Sequence, residues 1–237
     1  THIRNEVRVV GIDDASLQAL GAWPWKRDIF ATVLSNLYAK GARTVVFDVL
    51  FIEDRQGDAD MLQALSQAKK NTIFASKLGQ NLESIESVYK DSPYASHGVA
   101  HVYPDQDGKV RTIPLFQKDA QGVCYQSLAN QAFLLFTQRK EEGCDTTPKE
   151  FLFQEIAPKT LSLIDVVRGN VPEEDIRDKV IFIGSNTLDI DDHFVGQNGE
   201  KIPGVYVHAS VFTSLLNNSF LVGPSVALYI LLLIALV

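Results

Sequence analysis

The groups able to do chemistry in this chain are carboxylates, hydroxyls and imidazoles placed where apolar runs end. Asp13 and Asp14 follow the run Val7 to Ile12, and Asp48 interrupts Thr44 to Phe51. Ser185 and Asn186 follow Val180 to Gly184, and Asp189, Asp191, Asp192 and His193 crowd the loop behind them. His208 stands further on, in Val207-His208-Ala209. Carboxylates and imidazoles in this number offer the donors of a divalent-metal site or of a polar ligand contact. Their spacing matches no specific metal motif. No GxSxG, HExxH or GxxxxGK pattern is present, so the familiar nucleophile, zinc and phosphate-loop chemistries have no support. Asp13 and Asp14 are adjacent and followed by Ala15-Ser16, which also breaks the Asp-x-Asp pattern of aspartyl phosphohydrolases.

Each group has a structural reading beside the chemical one. Asp13 and Asp14 suit the cap of a short helix over Ala15 to Leu20. Asp48 inside an apolar strand would need a partner, with Arg43 and Arg111 as candidates. His208 on an apolar helix reads as a hydrogen-bonded core or interface histidine. Gly184-Ser185-Asn186 could form an anion-binding turn, but one glycine is a weak signal. Trp23 and Trp25 around Pro24 read as a rigid lid packed on the sheet edge, with an aromatic ligand clamp as the alternative.

The elements that must carry these groups follow an α/β rhythm. Val7 to Ile12, Thr44 to Phe51, Thr72 to Ala75 and Val180 to Ile183 are short apolar runs, as expected of strands buried on both faces. Ile29, Phe30, Val33, Leu34, Leu37 and Tyr38 recur at helical spacing between Asp28, placed to cap, and Gly41, placed to stop. Further helices are expected from Met61 to Ala68, Ser127 to Gln138, Leu161 to Arg168 and Val205 to Leu216. Strands separated by helices at this spacing predict parallel βαβ units with right-handed crossovers. Gly98 to Tyr103 and Val110 to Phe116 alternate around Asp107-Gly108, which predicts an antiparallel hairpin extending the sheet. The fold class is therefore α/β: a mixed sheet with parallel βαβ units, a hairpin extension and helices on both faces.

Bulk properties bound the rest. The 237 residues are 46% hydrophobic, enough for a sizeable core. A net charge of -7 with no Lys/Arg run excludes nucleic acid as an expected partner. Phe220 to Val237 carries no charge, and a spanning helix needs about 20 apolar residues. The expectation is a folded domain over residues 1–219 and a truncated transmembrane helix over 220–237. With no initiator Met and no leader, the chain reads as a fragment with sequence before it. The helical stretch between Cys124 and Cys144 rises about 1.5 Å per residue. A disulfide needs Cα atoms within about 7 Å, so two unpaired thiols are expected.

Several pieces together resemble a family. Ile12-Asp13-Asp14-x-Ser16, Gly21-x-Trp23-Pro24-Trp25-x-Arg27 and Val46-Phe47-Asp48-x-x-Phe51 stand in the order found in the CHASE2 domain, the extracytoplasmic sensor of bacterial transmembrane receptors. Asp58 to Asp60 before a helix, Asp105-x-Asp107-Gly108-x-Val110-Arg111, Val180-x-x-Ile183-Gly184, Asp192 with Phe194, and Pro203-Gly204-Val205-x-Val207-His208-Ala209 agree. The loop from Asp189 to Glu200 departs from the pattern, lacking its Gly/Thr/Pro-rich character. The resemblance implies a transmembrane helix before Thr1, a sensor outside the cell, further membrane helices from Phe220, and a cytoplasmic nucleotide cyclase, kinase or diguanylate cyclase. It supplies no ligand.

On this reading the fragment is a non-enzymatic sensor with no cofactor, no catalytic residue and no metal. Its expected ligand-contacting residues are Asp13, Asp14, Asp48, Ser185, Asp192 and His208. Its expected partners are a small-molecule or protein ligand, the membrane and a second copy in a homodimer. Two other readings remain open: a membrane-anchored, metal-assisted extracytoplasmic hydrolase, and a dimerisation module.

Overall fold

A computed structural model describes residues 5–140, 143–151, 159–190 and 192–221. The first half of the chain runs β1 (Val7–Ile12), α1 (Asp14–Leu20), α2 (Arg27–Ala39), β2 (Thr44–Phe47), α3 (Asp58–Ala68), β3 (Thr72–Leu78), β4 (Ser84–Ile85) and β5 (Ala95–Val99). Three short strands follow, β6 (Thr112–Pro114), β7 (Phe116–Lys118) and β8 (Cys124–Gln126), and then α4 (Leu128–Thr137). The remainder comprises β9 (Pro148–Phe151), β10 (Thr160–Ser162), α5 (Leu163–Val167), β11 (Val180–Ser185), β12 (His193–Val195), β13 (Lys201–Pro203), α6 (Gly204–Asn217) and β14 (Phe220–Leu221).

The main sheet has seven strands. Six are parallel, in the order β10-β1-β11-β2-β3-β5, and β4 adds antiparallel to the end of β3. β11 comes late in sequence yet fills the place between β1 and β2. Alternate residues of the central strands divide between two cores. Val10, Ile12, Val45, Phe47, Ile181 and Ile183 pack with α2, α3 and α5 on one face. Val9, Val46, Ile73, Val180 and Phe182 pack with α4 and α6 on the other. Both faces are covered, which is why these strands read as unbroken apolar runs. The α/β class and the helices on both faces agree with the sequence.

Several expectations are corrected. β2 ends at Phe47, so Asp48 lies just beyond the strand, its amide still donating to Ile183 O at 2.8 Å. β3 continues through Leu78, three residues past the expected end. The N-cap of α2 is Lys26; Asp28 sits in the first turn and accepts from its neighbour Ile29 N at 3.0 Å. The Asp107-Gly108 turn forms, with Gly108 N donating to Asp105 O at 2.8 Å and Arg111 paired to Asp105 and Asp107. Its flanks do not pair with each other. β5 instead runs parallel to β3, while β6 pairs with β9, and the local hairpin is β7-β8. The alternation recorded which side of each segment is buried, not mutual pairing.

Cys124 and Cys144 form a disulfide, with Cα atoms 6.1 Å apart. The expected unpaired thiols are thus overturned, because the chain after α4 returns towards β8 before entering β9. The C-terminal boundary is also corrected. Asn218 takes a left-handed conformation (φ 49°) that ends α6, and Phe220 and Leu221 pair antiparallel with Phe151 and Glu150. A helix therefore does not begin at Phe220. Residues 222–237, the bulk of the expected membrane run, lie outside the described residues. Among the described residues no helix is long and apolar enough to cross a membrane.

Candidate functional site at the carboxyl ends of the strands

The late insertion of β11 sets the geometry of the site. Its register places Ser185 beside Ile12 and Ile183 beside Phe47, and β2 in turn places Phe47 beside Phe74. The carboxyl ends of β1, β11, β2 and β3 thus lie side by side, where open α/β sheets meet their ligands. A cleft of about 420 Å³ opens there. Its polar lining includes Asp48, Ser76, Lys77, Ser185 and Asp192, and its apolar lining includes Ile12, Trp23, Val49, Leu50 and Ile190.

Of the six expected residues, Asp48, Ser185 and Asp192 line the cleft. Asp13 does not. Its Oδ1 accepts from Ser16 N at 2.9 Å, capping α1, and from Ser162 Oγ at 3.0 Å. Ser16 Oγ also donates to Asp13 and accepts from Ile164 N at 3.0 Å, so this carboxylate joins α1 to the start of α5. Asp14 accepts a hydrogen bond from Thr187 Oγ1 and holds the loop after β11. The capping reading therefore fits Asp13, and Asp14 is a loop anchor. Asp191 lies outside the described residues.

Asp48 has neither expected partner. Arg43 donates to Phe136 O at 2.6 Å and lies over the Phe136 ring, while Arg111 is held by Asp105 and Asp107. The residue opposite Asp48 is His208 of α6, whose Nε2 is 3.7 Å from Asp48 Oδ1. Asp48 Oδ2 is buried without a hydrogen-bond partner among the described residues. Burial pushes the Asp48 carboxyl up to about 7. It also drives His208 down to about 4, against the opposing charge of Asp192 and the Ala100 carbonyl. The spacing is that of an ion pair, but an imidazole at about 4 is uncharged near neutrality. The contact is therefore not an ion pair, since the imidazole carries no charge. His208 Nε2 also lies 3.2 Å from Ala100 O, which places the proton on Nε2. His208 Nδ1 is then a buried acceptor with no partner among the described residues. The expected core histidine is found, and it backs the cleft floor.

Asp192 and Gly184 fix α6 against that floor. Asp192 O accepts from Gly204 N at 3.0 Å, and its carboxylate lies where a Cβ at Gly204 would come within 2.6 Å. A carboxylate beside the first turn of a helix is favoured by the helix dipole. A Cβ at Gly184 would come 2.8 Å from Val205 Cβ and 3.2 Å from Asp48 Cβ. Trp25 is buried and donates from Nε1 to Gly21 O at 2.8 Å, as expected of a packed wedge. Trp23 is half-buried, packs edge-on against Trp25 at 5.3 Å, and forms one cleft wall.

Sequence reading missed Ser76, Lys77 and the Ala100–His101 segment. Ending β3 at Ala75 hid the first two, since a strand extended to Leu78 brings Ser76 and Lys77 to the sheet's carboxyl edge. Among the described residues no group of three or more His, Cys, Asp or Glu side chains is gathered to hold a metal ion.

A family model described as the CHASE2 domain matches residues 1–237. Comparison with curated proteins and with solved structures gave no match. The chain belongs to the CHASE2 family, a family of extracytoplasmic sensory domains.

Proposed function

Taking this CHASE2 chain as a sensory domain, we propose that it reports ligand occupancy of the strand-end cleft to a membrane receptor's cytoplasmic output. Asp48, Ser185 and Asp192 contact the ligand, and His208 couples Asp48 to α6. The uncharged run after β14 enters the membrane, so that residues up to the run stand in the periplasm or outside the cell. Two copies associate as a homodimer, and the output is a nucleotide cyclase, a kinase or a diguanylate cyclase. Family membership supports the sensory role, and the absence of charge from Phe220 to Val237 supports the membrane entry.

The observation that carries the cleft assignment is the Asp48–His208 contact at 3.7 Å, a buried carboxyl at a cleft floor touching the helix that leads towards the chain's end. A ligand biases a switch only by binding its two states unequally. Repositioning the Asp48 carboxyl is one contact away from repositioning α6. The test is the cytoplasmic activity of the intact receptor with the cleft filled by Ser185→Trp. Output locked and insensitive to stimulus is expected, with Leu62→Ser at an exposed position of α3 behaving as wild type. Normal stimulated output from a well-folded Ser185→Trp receptor would remove the assignment.

A further inference from the structure

The lining of the cleft narrows its ligand, given that the cleft is the sensing site. We propose that it takes a small organic ammonium ion: an amine on an apolar body, with the ammonium at Asp48 and Asp192 and the body against Trp23, Val49, Leu50 and Ile190.

Three observations converge. First, the Asp48 side chain is 8% exposed, lines the cleft, and leaves Oδ2 without a hydrogen-bond partner among the described residues. An unpaired buried carboxyl oxygen is costly, and an N–H donor is the group that satisfies it. Second, two carboxyl groups and one lysine, Lys77, line the cleft. An ammonium placed beside Asp48 favours its ionised form, and with Asp192 that gives two carboxylates against one lysine, a balance that suits a cationic head over an anionic one. Third, much of the remaining lining is apolar and includes the Trp23 indole, a surface suited to alkyl or aromatic groups and to a cation over its face. A polyhydroxylated ligand would turn hydroxyls onto apolar side chains. A volume of about 420 Å³ suits a molecule of the size of an aromatic amine or amino acid.

Lys77 separates two sources of the same ammonium chemistry. An α-amino acid would add a carboxylate for Lys77 to meet, whereas a simple amine would leave it in water.

The experiment is calorimetric titration of the chain with four probes that share a phenyl body: phenethylamine, L-phenylalanine, phenethyl alcohol and 3-phenylpropionate. At least one ammonium probe is expected to bind at least tenfold more tightly than the alcohol and the acid. Tighter binding of L-phenylalanine assigns an amino acid; equal or tighter binding of phenethylamine assigns an amine. Asp48→Asn should weaken the ammonium probe at least tenfold, and Ser185→Trp should abolish binding. Should Asp48→Asn fail to fold, Asp192→Asn and Trp23→Leu serve instead, each with a loss of at least threefold. The proposal is overturned when the alcohol or acid binds as well as the ammonium probes, when none of the four binds, or when the substitutions leave ammonium binding unchanged. Binding of the acid alone, still blocked by Ser185→Trp, would overturn the ammonium class and leave the cleft as the sensing site. Failure of that site itself is read separately, from receptor output.

Discussion

His208 Nε2 sits 3.7 Å from Asp48 Oδ1 and 3.2 Å from Ala100 O, so one imidazole joins α6 to the ends of two strands at the cleft floor. Neither side chain gains an ordinary hydrogen bond from the other. Burial disfavours the charged form of each, and it shifts the two in opposite directions.

That opposition makes a specific pH dependence. Asp48, raised to about 7, keeps its proton in the folded state; its contribution is full below the unfolded carboxylate value and is lost as pH rises through about 7. His208, lowered to about 4, contributes above the unfolded imidazole value, and that contribution is lost as pH falls through about 4. Between roughly pH 4 and 6.5 the two slopes oppose each other. The charged groups sharing the cleft with the pair are Asp192 and Lys77, with His101 also in the lining. Urea unfolding of Asp48→Asn should show stability rising more steeply with pH across this window than wild type. His208→Gln should show it falling. Parallel profiles for all three proteins would contradict the pairing.

At Gly184 α6 packs directly against the sheet. A Cβ there would lie 2.8 Å from Val205 Cβ, and both are buried, so something must move. Gly184→Ala should lower stability by about 1–3 kcal/mol, the usual range for overpacking. Thermal unfolding measures it, and an unchanged midpoint would mean that α6 is not seated as described.

Asp13 and Ser16 are assigned to architecture. Ser16→Ala removes an acceptor from Ile164 N in a fully buried place and should destabilise by about 1–3 kcal/mol. Asp13→Ala should lose about 0.5–2 kcal/mol of capping, while Asp13→Asn, which still caps, should lose less. Denaturant midpoints decide the order. Receptor output altered by a fully stable Asp13→Asn protein would return Asp13 to the ligand-contacting set.

The Cys124–Cys144 bridge closes a loop with a sequence separation of 20. Chain-entropy arguments give a loss of about 3 kcal/mol on its removal. Unfolding of the Cys124→Ser/Cys144→Ser protein should show it, together with insensitivity to reductant. Wild type that ignores reductant while the double variant matches it in stability would contradict a closed bridge.

The central strands β1, β2, β3 and β11 and most helices were legible because burial on both faces writes itself as continuous apolar runs, as in Val180 to Ile183, and because glycines with left-handed backbone mark helix ends, as Gly41 does at φ 85°. Cap chemistry was equally local, and Asp13 followed it. The site was legible only as a set of strand ends. Which ends are neighbours depends on β11 entering between β1 and β2, a tertiary choice with no local signal. Asp48 was therefore offered the wrong partners: Arg43 is near in sequence but turns to Phe136, whereas His208 comes from the far end of the chain. The same limit produced the misplaced hairpin, since alternation in Gly98 to Tyr103 shows a half-buried segment without naming the strand beside it.

The most direct test of the cleft as the sensing site is amide chemical-shift mapping of the chain against a panel of amines, amino acids, carboxylates and sugars. The account predicts that a binding compound shifts the Trp23 indole, Ser76, Lys77 and Ser185, and that the shifts continue into Gly204 and Val205 of α6. Shifts clustered away from these residues, or confined to the cleft with α6 unmoved, would contradict it.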